Sequence, residues 1–149
     1  VKMQKAFFDA GFKDSKFMSA KGKAQVLKAW ETFLRNGCRP EDFTKALYEH
    51  LHLHCAYIAH YNIRGFYSEY FTTGQGTVDF LEYFQEENKR RLPWPAYRDY
   101  QDLIVAMLEV VERYGPLLIQ QSLARQKKAD IALARALLGK HGIDLKEVE

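Results

Sequence analysis

The 149 residues carry a formal net charge of +3, with 47 % hydrophobic and 14 % aromatic side chains. That balance excludes an intrinsically disordered chain, which needs low hydrophobicity and high net charge. The length suits a single domain, residues 1–149, able to bury roughly two-thirds of its unfolded surface without staples.

Two cysteines, Cys38 and Cys55, are too few for a disulfide framework and lack CxxC spacing. Reduced thiols and a cytoplasmic location are therefore expected. No run approaches the roughly 20 apolar residues that span a bilayer, so no membrane partner is expected. Val1-Lys2-Met3-Gln4-Lys5 has no apolar core behind it, so no secretory signal is expected. Charge is uneven along the chain. Residues 1–37 carry eight Lys/Arg against three Asp/Glu, residues 38–116 eight against twelve, and residues 117–149 six against four. The basic N-terminal part could meet an acidic partner or nucleic acid. It lacks the interleaved aromatics of a nucleic-acid surface and reads more simply as a solvated helix face.

In chain order, the periodicity is helical almost throughout. Residues 2–10 suit a short helix with Ala6, Phe7 and Ala10 on one side, ended by Gly11. Residues 11–18 form a connector with two apolar anchors, Phe12 and Phe17. Ser19 can cap a helix from Ala20 to Asn36. Val26, Leu27, Trp30, Phe33 and Leu34 make its core stripe, and Gly37 suits a left-handed C-terminal cap. Pro40, Glu41 and Asp42 suit the first turn of a helix running to Phe71. That helix would be roughly 46 Å long, against about 38 Å for the whole domain, so it must protrude or break. Asn62 and Gly65 are the natural break points.

Thr72 to Gly76 reads as a loop, with Thr77 capping a helix from Val78 to about Lys89. Phe80, Leu81 and Phe84 make its core face. Arg90, Arg91 and Pro93-Trp94-Pro95 interrupt the pattern. A helix from about Ala96 to Tyr114 follows, with Leu103, Ile104, Met107, Leu108, Val110 and Val111 on its apolar face. Gly115-Pro116 breaks or kinks the chain. A last helix runs from about Leu117 to Leu138, closed by Gly139, and residues 140–149 form a short tail or one extra turn. The fold class is all-α: a bundle of five or six helices around a central His/Tyr-rich one.

One segment is compositionally unusual. Four of the five histidines and five of the nine tyrosines fall between Tyr48 and Tyr70. On a continuous helix, His50, His54, Tyr57, Tyr61, Arg64 and Ser68 share one stripe, with apolar residues on the other two sides. Buried imidazoles and phenols need partners, which carbonyls, carboxylates and water can supply. Six polar groups in one layer nevertheless exceed an ordinary core, so a site is considered.

His50 and His54, four residues apart, can both reach one ion, which makes them the metal candidates. The residue after His50 is Leu51, so the HExxH general base is absent. Glu49-x-x-His52 is half of a di-iron pattern without a second half. A third ligand could come from Glu82, Glu86, Glu109 or Glu112. The alternative is a small-molecule pocket lined by His50, His54, Tyr57, Tyr61 and Arg64. There Arg64 would hold an anionic group and His54 would be an acid or base. A divalent metal or haem are the cofactors considered, though no CxxCH haem attachment is present.

Cys55 lies on the apolar side of the wheel and reads as inert; Cys38, before Pro40, is expected to be exposed. No phosphate loop and no catalytic residue can be assigned. The second functional class is a non-enzymatic regulatory or interaction module. Trp94, held between two prolines, would be its docking knob, or would pack beneath the connection instead. The last helix could dimerise, giving a homo-oligomer. Nucleic-acid binding through the basic N-terminal part is the third class.

Overall fold

Ser19 has extended backbone, and its Oγ accepts the Gly22 N–H at 3.0 Å, satisfying one of the donors left open at a helix start. The first helix that follows, α1, spans Ala20–Arg35 in a computed structural model that describes residues 11–55 and 62–144. The expected helix over 2–10 lies outside the described residues. α1 ends as the sequence suggests: Gly37 adopts φ 83°, its N–H reaches the Leu34 carbonyl, and the Cys38 N–H reaches that of Phe33. These two bonds are a Schellman cap, and they place Cys38 at the position whose side chain turns back toward the helix. Cys38 is accordingly buried, at 3 % exposure, and not exposed as its place before Pro40 suggested.

The expected helix from Pro40 to Phe71 is not one helix. Pro40–Asp42 forms a single 3-10 turn. Thr44 then caps α2, Lys45–His54, its Oγ1 accepting the Leu47 N–H at 3.2 Å. α3, Ile63–Phe71, restarts at Asn62, whose Oδ1 accepts the Gly65 N–H at 2.6 Å. Asn62 is thus the break, while Gly65 lies within the first turn of α3. Two side-chain caps at Thr44 and Asn62 outcompete continuation, because each closes a new first turn locally.

α4 spans Gly74–Arg91. It begins three residues before the expected cap, because Thr73, and not Thr77, accepts a first-turn backbone N–H, that of Gly76 at 2.9 Å. Pro95–Tyr100 is a 3-10 segment, where a helix was expected to have begun already at Ala96. α5 then runs unbroken over Gln101–Lys140, forty residues with Pro116 inside. Of the break or kink expected at Gly115-Pro116, the break does not occur. Pro116 is exposed and so is Glu112, whose carbonyl loses its donor to the proline ring and faces water instead. Val110, Val111, Gly115 and Leu118 are buried on either side of the gap and anchor the helix to the core across it. The end is a second Schellman cap at Gly142, three residues beyond Gly139, with the Ile143 N–H on the Leu138 carbonyl at 2.8 Å.

The described residues are thus all-α, five helices with no strand. Their core is aromatic. Trp30 is fully buried, and its Nε1–H donates to the Met107 carbonyl at 3.0 Å, pinning α1 to α5. Its ring lies 4.9 Å from that of Phe84. Phe33, Phe71 and Phe80 continue the stack at 4.9 and 4.7 Å in edge-on pairs. Such pairs add about 0.5–1.5 kcal/mol beyond area burial. The connector contributes unequally. Phe12 packs against the core, whereas Phe17 is 68 % exposed with the Lys16 ammonium 5.2 Å from its ring.

Candidate functional site

The histidine segment divides at the break between α2 and α3. His50 faces the core at 1 % exposure, its ring 6.0 Å from Tyr100 in an edge-on arrangement. Arg64 stands exposed on α3, beside a shallow depression of about 360 Å³ lined by Pro40, Phe43, Ile63, Tyr67 and Ser68. A helical wheel relates residues only along an unbroken helix, so the stripe joining His50 to Arg64 and Ser68 does not exist as drawn. The side chain of His54, and all of Tyr57 and Tyr61, lie outside what is described. Among the described residues, no three His, Cys, Asp or Glu side chains converge as a metal site would require. Tyr48, His52 and Phe66 instead make an aromatic group, His52 stacked on Tyr48 at 5.6 Å.

Both cysteines are buried thiols. Burial pushes Cys38 up to about 12, and pushes Cys55 up as well. Neither can supply thiolate near neutral pH, which agrees with inert packing at Cys55.

A groove missed by the sequence reading lies where the connector crosses α4 and α5. It encloses about 810 Å³ between Phe12, Leu92, Pro93, Val105 and Ala106, with Lys89, Asp102 and Glu109 at its polar edge. Its wall carries a buried charge. Lys23 is 2 % exposed, and its ammonium donates to the Lys13 carbonyl at 2.8 Å and sits 2.9 Å from Asp102 Oδ1. Asp102 in turn accepts the Lys13 and Leu103 N–H groups at 3.2 and 2.8 Å. The cluster ties connector, α1 and α5 together. Only the i, i+3, i+4, i+7 spacing of Asp102, Val105, Ala106 and Glu109 could have signalled this face in advance.

Trp94 is neither a free knob nor fully packed. It is 43 % exposed, with the guanidinium groups of Arg90 and Arg91 at 5.1 and 5.4 Å from its ring. Glu87 pairs with both arginines, at 2.6 and 3.1 Å. Those arginines hold the Glu87 carboxyl below the usual carboxylate range.

The largest unpartnered feature is the end of α5. Up to Gln126 the helix is fastened to α4: the Gln75 N–H donates to Gln126 Oε1 at 2.9 Å, and Arg125 donates to Thr77 Oγ1 at 3.3 Å. From Lys127 to Lys140 every residue except Leu138 is exposed. No family model, curated protein or solved structure matches the chain. The composition of these fourteen residues is therefore the main guide to them. Eight are apolar: Ala129, Ile131, Ala132, Leu133, Ala134, Ala136, Leu137 and Leu138. Four are basic, Lys127, Lys128, Arg135 and Lys140, against one acid, Asp130. Ala129, Ala132, Leu133 and Ala136 prolong the face that carries Leu118 and Ser122 into the core. Ile131 stands on another side, in a depression of about 460 Å³ with Ala124, Lys127, Lys128, Ala132 and Arg135. Across the described residues, no helix is long and apolar enough to cross a membrane.

Proposed function

We propose that this protein is a non-enzymatic association module whose docking element is the projecting end of α5, residues 127–140, here called the arm. One observation carries this reading: among the described residues, the core-facing stripe of α5 continues past Gln126, its last hydrogen bond to α4, leaving Leu133 59 % exposed, with Leu137 at its edge 51 % exposed. A helix apolar on two sides is ordinarily buried, and each large aliphatic group left in water forgoes about 1.5–3 kcal/mol. The residues are good helix formers, so the arm is a preformed element that loses little order on docking.

The test is a photo-reactive phenylalanine derivative at Ile131 of the full chain, illuminated in cells. Covalent adducts to protein are expected. Adducts to lipid alone, or none, would remove the reading.

A second reading is supported by the groove beneath Phe12, whose volume lies within the range of small-molecule sites. It would take a mostly apolar ligand with one polar end placed near Lys89. An environment-sensitive apolar dye should bind there and be excluded by Ala106→Trp. Equal binding to the variant would discard it.

A further inference from the structure

The arm is basic, and its exposed basic groups are unpaired: Lys127, Lys128 and Arg135 take part in no ion pair among the described residues. Two arms lying side by side would oppose like charge, so its complement must be acidic. The same chain carries such a surface. On α4, Asp79, Glu82 and Glu86 are exposed on one face, with Tyr83 41 % exposed between them. None of these three carboxylates is in an ion pair among the described residues either.

The two surfaces match in spacing as well as in sign. Asp79, Tyr83 and Glu86 follow one another at four and three residues. Arg135, Ile131 and Lys128, read backwards, do the same. Each outer pair is therefore about 10.5 Å apart along its helix. Laid antiparallel, Arg135 meets Asp79, Lys128 meets Glu86, and the Tyr83 ring enters the depression at Ile131, which Ala124 and Ala132 leave open. Tyrosine in an apolar notch flanked by cations suits both hydrophobic burial and cation–π attraction.

We propose that the arm docks on the Asp79–Tyr83–Glu86 face of a second copy of this chain, each copy giving one arm and receiving one. The inference rests on the association reading above. Because α4 and α5 run antiparallel within each copy, an arm laid antiparallel on α4 lies parallel to the partner's α5 but shifted along it, so the contact is head-to-tail and adds copies without closing at two.

The experiment is sedimentation of the full chain at micromolar concentration, in low and high salt, with three variants. Wild type should self-associate head to tail, in species that grow with protein concentration and shrink as salt rises. Lys128→Glu with Arg135→Glu should weaken self-association at least about tenfold, and so should Asp79→Lys with Glu86→Lys. Combining all four substitutions restores opposite charge across the contact, and should recover the wild-type affinity to within about threefold. A monomeric wild type overturns the proposal, as does a closed dimer, an association indifferent to both charge pairs or a four-fold variant that fails to recover. Retained helical circular dichroism in each variant separates lost contact from lost fold. The Ile131 adduct separates the two readings. Attachment to α4 of a second copy supports both. Attachment to another protein keeps the association reading and overturns this one. Capture by vesicles of anionic lipid, without self-association, overturns both.

Discussion

The backbone of Gly74 lies so close to α5 that a methyl group on it would overlap the Ser122 carbonyl oxygen. The first turn of α4 and the last buried turn of α5 touch main chain to main chain, and only glycine permits it.

Gly74→Ala therefore sets two effects in competition. Alanine favours a helix by up to about 1 kcal/mol over glycine. The overlap is with backbone, which cannot swing aside, so α4 must move at a cost of about 1–3 kcal/mol or more. A net loss of stability is expected in thermal unfolding. Gly139→Ala is the control. It lies within α5 with nothing near it and should gain up to about 1 kcal/mol.

The Lys23–Asp102 pair should break asymmetrically. Lys23 is 2 % exposed and Asp102 36 %. Asp102→Asn strands a buried ammonium, at a cost of about 3 kcal/mol. Lys23→Met leaves a carboxylate that still accepts two N–H groups and reaches water, so the loss should be smaller. Urea midpoints of the two variants measure the difference. Equal losses would mean that the pair is not buried as described.

Stability should fall in alkali. Cys38 and Cys55 have folded values raised above the unfolded thiol, which is about 8.5. Below that pH their contribution is intact. Above it the unfolded chain sheds protons that the folded chain keeps, so stability drops by up to about 1.4 kcal/mol per pH unit per thiol, toward about pH 12 for Cys38. Tyr67, Tyr70, Tyr97 and Tyr100, all raised chiefly by burial, add to the loss from about pH 10. An aromatic disulfide reagent should find no reactive thiol in the folded protein at pH 8 and two in guanidinium.

His50→Ala tests whether the histidine segment is chemistry or core. With the ring buried against Tyr100, the substitution should cost about 1–3 kcal/mol by opening a cavity. Elemental analysis of wild type and variant decides the metal question. Stoichiometric metal lost with His50 would restore the His50–His54 pair as a ligand set.

Much of the helical plan was legible because its signals are local. Ser19 and Gly37 act within a turn of themselves, and Asn62 announces a break through its own side chain. The start of α4 was misread because Thr73 and Thr77 are equally good caps in sequence. The choice between them depends on Ser122, forty-nine residues away. Pro116 was read as a break because the rule for proline concerns its own hydrogen bond. Leu118 and Val111, which hold α5 together across it, enter only through packing. The site was harder still. The groove needs the connector folded over α5, and the stripe from His50 to Arg64 presupposed a helix that ends at His54 and restarts at Asn62.

The unbroken course of α5 also has a mechanical consequence. Forty helical residues make a rod about 60 Å long, clamped at Asp102, Trp30 and Gly74 and free beyond Gln126. A force applied at Leu137 is therefore not absorbed where it lands. It is carried down the shaft to the clamps, and the compliant point along the way is Pro116, where one rung of the ladder is missing. Whatever grips the arm holds a lever whose far end reaches the Lys23–Asp102 pair.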